Sequence, residues 1–299
     1  MKLLRWSATR PDVDPGAVAL HARNVSFDWS GVPLQWMPAE PLAGHLICAL
    51  NMLLPEGERM FIATYREALA YVEDEKLRED MLGFIGQESM HAETHAKVLV
   101  DMLAANGVDT APYERQMEYL FRVSLGKRGA GRAGKQMLVE RLAFIACLEH
   151  FFAWLGDWVL NADLEKFGAD PRMADLFRWH GAEEVEHRNV AHDVAEYFGV
   201  GYVRRSATMT LVFPIFLVLL LRGTRFLVHQ DPKLPDHGYP RLLAGVFAAM
   251  WRGAIPGVPS LLVSALSTFQ PGYNPDKVGS TAQALAYLAA SPAARAAAS

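Results

Sequence analysis

The chain has 299 residues, 51% of them hydrophobic and 21% charged, enough to build one large domain with a real core; a disordered chain is excluded. A formal net charge of -4, with Lys and Arg scattered along the chain, leaves no basic stripe for nucleic acid. The two cysteines, Cys48 and Cys147, lack CxxC spacing and cannot form a disulfide framework, which fits a reducing compartment.

At the N-terminus, Lys2 and Arg5 are followed by turn chemistry from Thr9 to Gly16 and not by an apolar stretch. The expectation is therefore a cytoplasmic protein without a signal peptide. Residues 1–40 read as an irregular arm whose aromatics, Trp6, Phe27, Trp29 and Trp36, anchor it across a helical body. A helical pattern starts near Pro41 and is expected to break at Pro55-Glu56-Gly57, with Pro55 opening a first bundle helix over roughly 56–72.

After the polar break at Glu73–Lys76, helical periodicity resumes from Leu77 to Leu103 and ends at Asn106-Gly107. A crossover of about 25 residues follows, with a short helical piece at 113–125 and a glycine-rich stretch at 126–134. A third helix is predicted over about 135–165, then a turn at Phe167–Pro171, then a fourth helix to Phe198-Gly199. No strand pattern competes in this span.

Residues 206–221 are sixteen uncharged residues containing Pro214, short of the ~20 that a spanning helix needs, and they read as a buried or interfacial helix. Further helical patterns lie at 241–252 and 258–269, and the Ala-rich end from Thr281 is expected to extend as a helix and then fray. Two helical hairpins joined by one long crossover is the connectivity of a ferritin-like bundle. The fold class is thus all-α: a ferritin-like four-helix bundle (41–200) with an N-terminal arm (1–40) and extra C-terminal helices (201–299).

Such bundles build metal sites from inward-facing Glu residues, with Glu-x-x-His pairs on two of the helices. Glu88-Ser89-Met90-His91 on the second helix and Glu184-Val185-Glu186-His187 on the fourth both have this i, i+3 spacing, which puts each pair on one face. One match is weak, since Glu and His are common on solvated helices; two, each on the second helix of a hairpin, carry more weight. The first helix offers Glu58 or Glu67 and the third Glu140 or Glu149. Within each pair the members are nine residues apart and point to opposite sides of a helix turning about 100° per residue.

Register decides between them. Glu58 lies 16 residues before Asp74 and Glu88 lies 14 after it, so the two are level, whereas Glu67 would miss by about 10 Å. Glu149 is likewise level with Glu184 across the turn at Gly168, and Glu140 would miss by roughly 18 Å. His180 falls in the same arc as Glu184 and His187 and is expected to reach the same metal; the plainer reading is a core histidine bonded to backbone. His95, His150 and Glu183 are assigned outer-shell or structural roles.

Four carboxylates in a bundle interior repel one another and require cations, and a carboxylate–imidazole set without thiolates suits two iron ions, or manganese, and not structural zinc. The expected ligands are Glu58, Glu88, His91, Glu149, His180, Glu184 and His187, with Glu88 and Glu184 bridging.

The segments Leu54–Arg59, Gly86–His91, Leu148–Phe151 and Trp179–Arg188, together with the Phe27-Asp28-Trp29 arm, resemble the bacterial family labelled predicted metal-dependent hydrolases over most of the chain. The local His-x-x-x-Glu-x-x-His pattern is also similar to the di-iron arylamine N-oxygenases, whose extra histidine ligand matches His180. The family label implies hydrolysis, and the ligand pattern implies oxygen chemistry.

The leading expectation is an O₂-dependent oxidoreductase acting on a small, apolar substrate with an electron donor as partner. The alternative is a dinuclear metal-dependent hydrolase in which the ions activate water. A third reading is an iron-binding or membrane-associated helical protein without turnover. A second copy of the chain and peripheral contact with a membrane are further candidate partners, and nucleic acid is not one.

Overall fold

A computed structural model describes residues 18–127, 129, 131–236 and 238–298; Trp6 and the turn at 9–16 lie outside them. Among the described residues there are helices and turns and no strand. The four bundle helices are α2 (Leu50–Ala68), α3 (Glu75–Lys97), α5 (Gly131–Asn161) and α6 (Pro171–Tyr197), preceded by the short α1 (Pro41–Cys48). α2 packs on α3, α3 on α6, α6 on α5 and α5 back on α2, which closes a four-sided interior.

Local chemistry marks the helix ends. Asp74 accepts a hydrogen bond from the Leu77 amide at 2.7 Å to cap α3, and Asp170 caps α6 through the Arg172 amide with Pro171 in the first turn. α3 runs on through a π-helical turn at Val98–Leu103 and stops at Gly107, whose φ of 80° suits glycine. The crossover holds α4 (Ala111–Glu118) and a second π-helical turn at Tyr119–Ser124.

The helix boundary expected at Pro55 is not found there. α2 begins at Leu50 and carries Pro55 inside it, and the break falls at Ala49, between α1 and α2. Burial outweighs local propensity: Leu53, Leu54, Pro55, Glu56 and Gly57 are all buried in helical conformation, and tertiary packing offsets the backbone bond that Pro55 cannot make. α5 likewise takes in part of the glycine-rich stretch, starting at Gly131, and ends at Asn161, earlier than expected.

α5 and α6 approach most closely at two glycines. A Cβ on Gly156 would stand 2.2 Å from the Gly181 carbonyl oxygen, so neither position tolerates a side chain without shifting the helices. The arm crosses α3 at a second notch, where a Cβ on Gly83 would meet Leu20 Cβ at 2.6 Å and one on Gly86 would meet Ala22 Cβ at 3.3 Å. Phe27 stacks on Trp29 at 5.1 Å, and Trp36, fully buried, donates from Nε1 to the Gly44 carbonyl at 2.9 Å.

The C-terminal helices are α7 (Tyr202–Gln230), α8 (Tyr239–Arg252), α9 (Val258–Ser267), α10 (Thr281–Ala290) and α11 (Pro292–Ala297). The apolar run 206–221 belongs to a helix of 29 residues that continues through Pro214 and Arg222. By length and composition α7 could cross a membrane, and only 33% of its most apolar window is buried. The Ala-rich end is ordered in two helices as far as Ala297. The Ser291 side chain caps α11, Ala293 and Ala294 are buried, and Asp175 accepts hydrogen bonds from the Ala293 amide and the Tyr287 hydroxyl. The main hydrophobic core runs from Val25 of the arm through the bundle to Ala294, beside a small second cluster of Ala143, Ala195 and Val200.

Candidate metal centre

The bundle interior brings together Glu58, Glu88, His91, Glu149, His180, Glu184 and His187, all buried. Glu67 and Glu140 lie elsewhere: Glu67 pairs with Arg141 at 2.7 Å, and Glu140 accepts from Gln136 at 2.5 Å and faces Arg204 at 3.6 Å. Overlapping donor groups emerge among these residues, the ligand atoms within each group lying within 4.8 Å of one another. Glu88, Glu149, Glu184 and His187 form one, on the His187 side; on the His91 side Glu58 with Glu88 and His91 form a second, and His91 with His180 and Glu184 a third. Glu88 and Glu184 belong to both sides, the position a bridging carboxylate occupies.

His180 departs from the expected arrangement. It stacks on His91 with ring centroids 4.1 Å apart and joins the His91 side, not the His187 side. The helical arc places it near Glu184, but its ring reaches across toward α3, where His95 Nε2 meets its Nδ1 at 2.8 Å. His95 is closer to the centre than an outer role implies, forming a further donor group with Glu58 and His180. His150 is remote from it, held by the Tyr273 hydroxyl and the Ser264 carbonyl at 2.8 and 2.9 Å, and so ties α5 to the C-terminal helices.

Hydrogen bonding directs one nitrogen of each imidazole inward. His91 Nε2 donates to Glu183 at 2.9 Å, leaving Nδ1, without a hydrogen-bond partner, 3.7 Å from both Glu88 and Glu184. His187 Nδ1 donates to Gln87 Oε1 at 3.1 Å, leaving Nε2 facing Glu149 and Glu184 at 3.0 Å each and Glu88 at 3.4 Å. Asn51 Oδ1 accepts from His95 Nδ1 at 2.7 Å, so His95 Nε2 accepts from His180 Nδ1, which leaves His180 Nε2 as the ring nitrogen facing Glu184, 2.7 Å away. Outer partners that fix the tautomer in this way are the usual support of metal-ligating histidines.

Electrostatics tests whether cations fit. Both carboxylate oxygens of Glu58, Glu88 and Glu149 are buried without a hydrogen-bond partner, as is one of Glu184. Burial, and then the neighbouring carboxylates, push Glu58, Glu88 and Glu149 above the usual carboxylate range. Glu184 is held low despite burial by the imidazoles of His187 and His180, and His187 is raised against burial by Glu184 and Glu149. His95 and His180 are lowered by burial and by neighbouring imidazoles. Protein groups alone do not balance this set of acceptors, so the residues fit divalent cations.

Three outer residues were not singled out from the sequence: Arg23, Gln87 and Asn51. Gln87 Nε2 donates to Glu186 at 2.9 Å, and Arg23 bridges Glu183 at 2.7 Å and Glu186 at 2.8 and 2.9 Å. A continuous chain therefore runs His91–Glu183–Arg23–Glu186–Gln87–His187. Gln87 sits beside Glu88 and could have been found by its place in the motif; Arg23 is 160 residues from Glu183 and could not.

A ferritin-like helical bundle with buried Glu and His clusters able to chelate metal defines a metal-binding protein of the metal-dependent enzyme class. The chain belongs to the family described as predicted metal-dependent hydrolase, whose model matches residues 21–279. No curated protein and no solved structure matches it.

Proposed function

We propose that this protein is a dinuclear metal-dependent hydrolase of a small, largely apolar substrate, with the two ions held by Glu58, Glu88, His91, Glu149, His180, Glu184 and His187. The observation that carries it is the run of overlapping buried donor groups, linked through Glu88 and Glu184, in a chain whose family is described by metal-dependent hydrolysis. A bound pair of divalent ions would supply Lewis acidity and activation of water near neutral pH. The protein's own part is positional. Glu183, Gln87 and His95 hold the three imidazoles, and the edges of Trp179 and Phe84 lie against His91 and His187, keeping bulk water from the donors.

A second reading, oxidation with O₂ and an external electron donor, is favoured by one feature. The third imidazole, His180, adds a neutral donor to a carboxylate-rich set suited to iron or manganese. The two readings separate in one experiment. Protein loaded anaerobically with Fe(II), Mn(II) or Zn(II) is assayed on alkyl esters and amides, with O₂ uptake followed in parallel. Hydrolysis predicts cleavage without O₂ and incorporation of solvent oxygen into the acid product. Uptake of O₂ by the Fe(II) form alone, with no cleavage by any metal form, would move the assignment to oxidation. Failure to bind any of the three metals would end both.

A further inference from the structure

A large cavity of about 970 Å³ lies between α2, the π-helical turn at 119–124, α5 and α7. This is near the upper end of the roughly 300–1,000 Å³ typical of small-molecule sites. Its wall is overwhelmingly apolar, with Phe61, Phe121, Phe144, Leu148, Phe152 and Phe216 prominent, yet it includes Glu58, whose two carboxylate oxygens are buried and have no hydrogen-bond partner. The same lining includes Leu211 and Ile215, which are 65% and 49% exposed. The cavity therefore joins the metal-ligand cluster to the outer face of α7.

The shape and the charge of the wall select the ligand. Lining residues on α7 run from Tyr202 to Leu219, about 25 Å of helix, so the space is elongated and suits a chain better than a compact ring system. Of the two lining arginines, Arg141 is buried and committed to Glu67 at 2.7 Å, and Arg204, partly exposed, has the Glu140 carboxylate 3.6 Å away, so each already has a carboxylate beside it with which an anionic head would compete. We infer that this cavity binds a long unbranched alkyl chain with its polar, reacting end at Glu58. The assignment of that end as the reacting one rests on the proposed metal centre; binding of the chain does not.

The test uses full-length protein treated with chelator, so that chain binding is read without metal or turnover. The probe is the neutral fluorophore N-phenyl-1-naphthylamine, displaced by straight-chain alcohols of six, ten and fourteen carbons. Affinity for the alcohols should rise roughly fourfold per methylene until the cavity is filled. Ala207→Trp, at an exposed lining position, and Ile215→Arg should each weaken displacement at least tenfold while the helical circular dichroism and metal uptake stay as in the wild type. Affinity independent of chain length, or unchanged in both variants, overturns the inference. Sedimentation with phosphatidylcholine vesicles locates the source of the chain. Co-sedimentation lost in Ile215→Arg means that it is taken from a bilayer, and protein that binds alcohols but stays in the supernatant takes it from water. Protein that binds chains but never metal would keep this inference and refute the metal centre, and the converse result would do the opposite.

Discussion

Arg23 and Glu183 form an ion pair at 2.7 Å that links the N-terminal arm to the hydrogen bond orienting His91. Glu183 is fully buried and Glu186 nearly so, and the same guanidinium serves both. Arg23→Ala should lower metal affinity about 10–100-fold, the usual cost of losing an outer-shell partner, and should also lower the melting temperature. Arg23→Lys should fall between, because an ammonium cannot reproduce the forked contact with two carboxylates. Competition titration against a chelating dye measures this; an Arg23→Ala protein that binds metal like the wild type would remove the arm from the centre.

The four glutamates considered for the first and third bundle helices separate by two readouts. Glu58→Gln and Glu149→Gln should reduce metal content per chain with little loss of fold, since each relieves a crowded carboxylate. Glu67→Gln should keep the metal but lose roughly 3 kcal/mol or more of stability, because Arg141, with a side chain 3% exposed, is left without its anion. Glu140→Gln should change neither by much. Metal analysis combined with thermal unfolding distinguishes all four, and metal loss in Glu67→Gln alone would show the wrong helix face to be the binding one.

Gly156 and Gly181 set the spacing of α5 and α6 one residue from His180. A Cβ on Gly181 would meet Gly156 Cα at 2.7 Å and Val159 Cγ1 at 2.8 Å, so Gly181→Ala must force the helices apart. The expected loss is about 1–3 kcal/mol, accompanied by weaker metal binding, because His180 moves with the backbone. Unchanged stability in Gly181→Ala and Gly156→Ala would mean that the helices are not held at this distance.

Stability should fall in acid through His45. Its ring is fully buried, and burial holds it below the usual histidine range although Nε2 donates to Asp231 at 2.8 Å. The unfolded chain therefore binds the proton more readily than the native one, so this contribution is complete above about pH 6.5 and declines as pH drops toward the folded value. Asp231, itself held low by hydrogen bonds despite burial, adds a second loss at still lower pH. His45→Gln should be less stable at neutral pH and show a shallower dependence below 6.5, by up to one proton or about 1.4 kcal/mol per pH unit. Urea unfolding from pH 5 to 8 reads the slope directly; an identical slope in the variant would assign the titration to another group.

Much of the layout follows from local rules that need no partner. A period of 3.6 residues puts Glu88 with His91, and Glu184 with His187, on single faces, and antiparallel register makes Glu58 level with Glu88 and Glu149 level with Glu184. Turn chemistry at Asp74 and Asp170 marks the start of α3 and α6 because capping depends on a few adjacent residues.

Packing between distant segments decided the rest. Pro55 lies inside α2 because the residues around it are buried, not because of its own preference. His180 turned to the His91 side because His95, on another helix, accepts its Nδ1 proton. The place of Arg23 beside Glu183 depends on glycines at 83 and 86 that let the arm lie close against α3. Periodicity along one chain determines which residues share a face, whereas the partner that orients a ring or neutralises a carboxylate is chosen by contacts across the fold, and those exist only once the helices have packed.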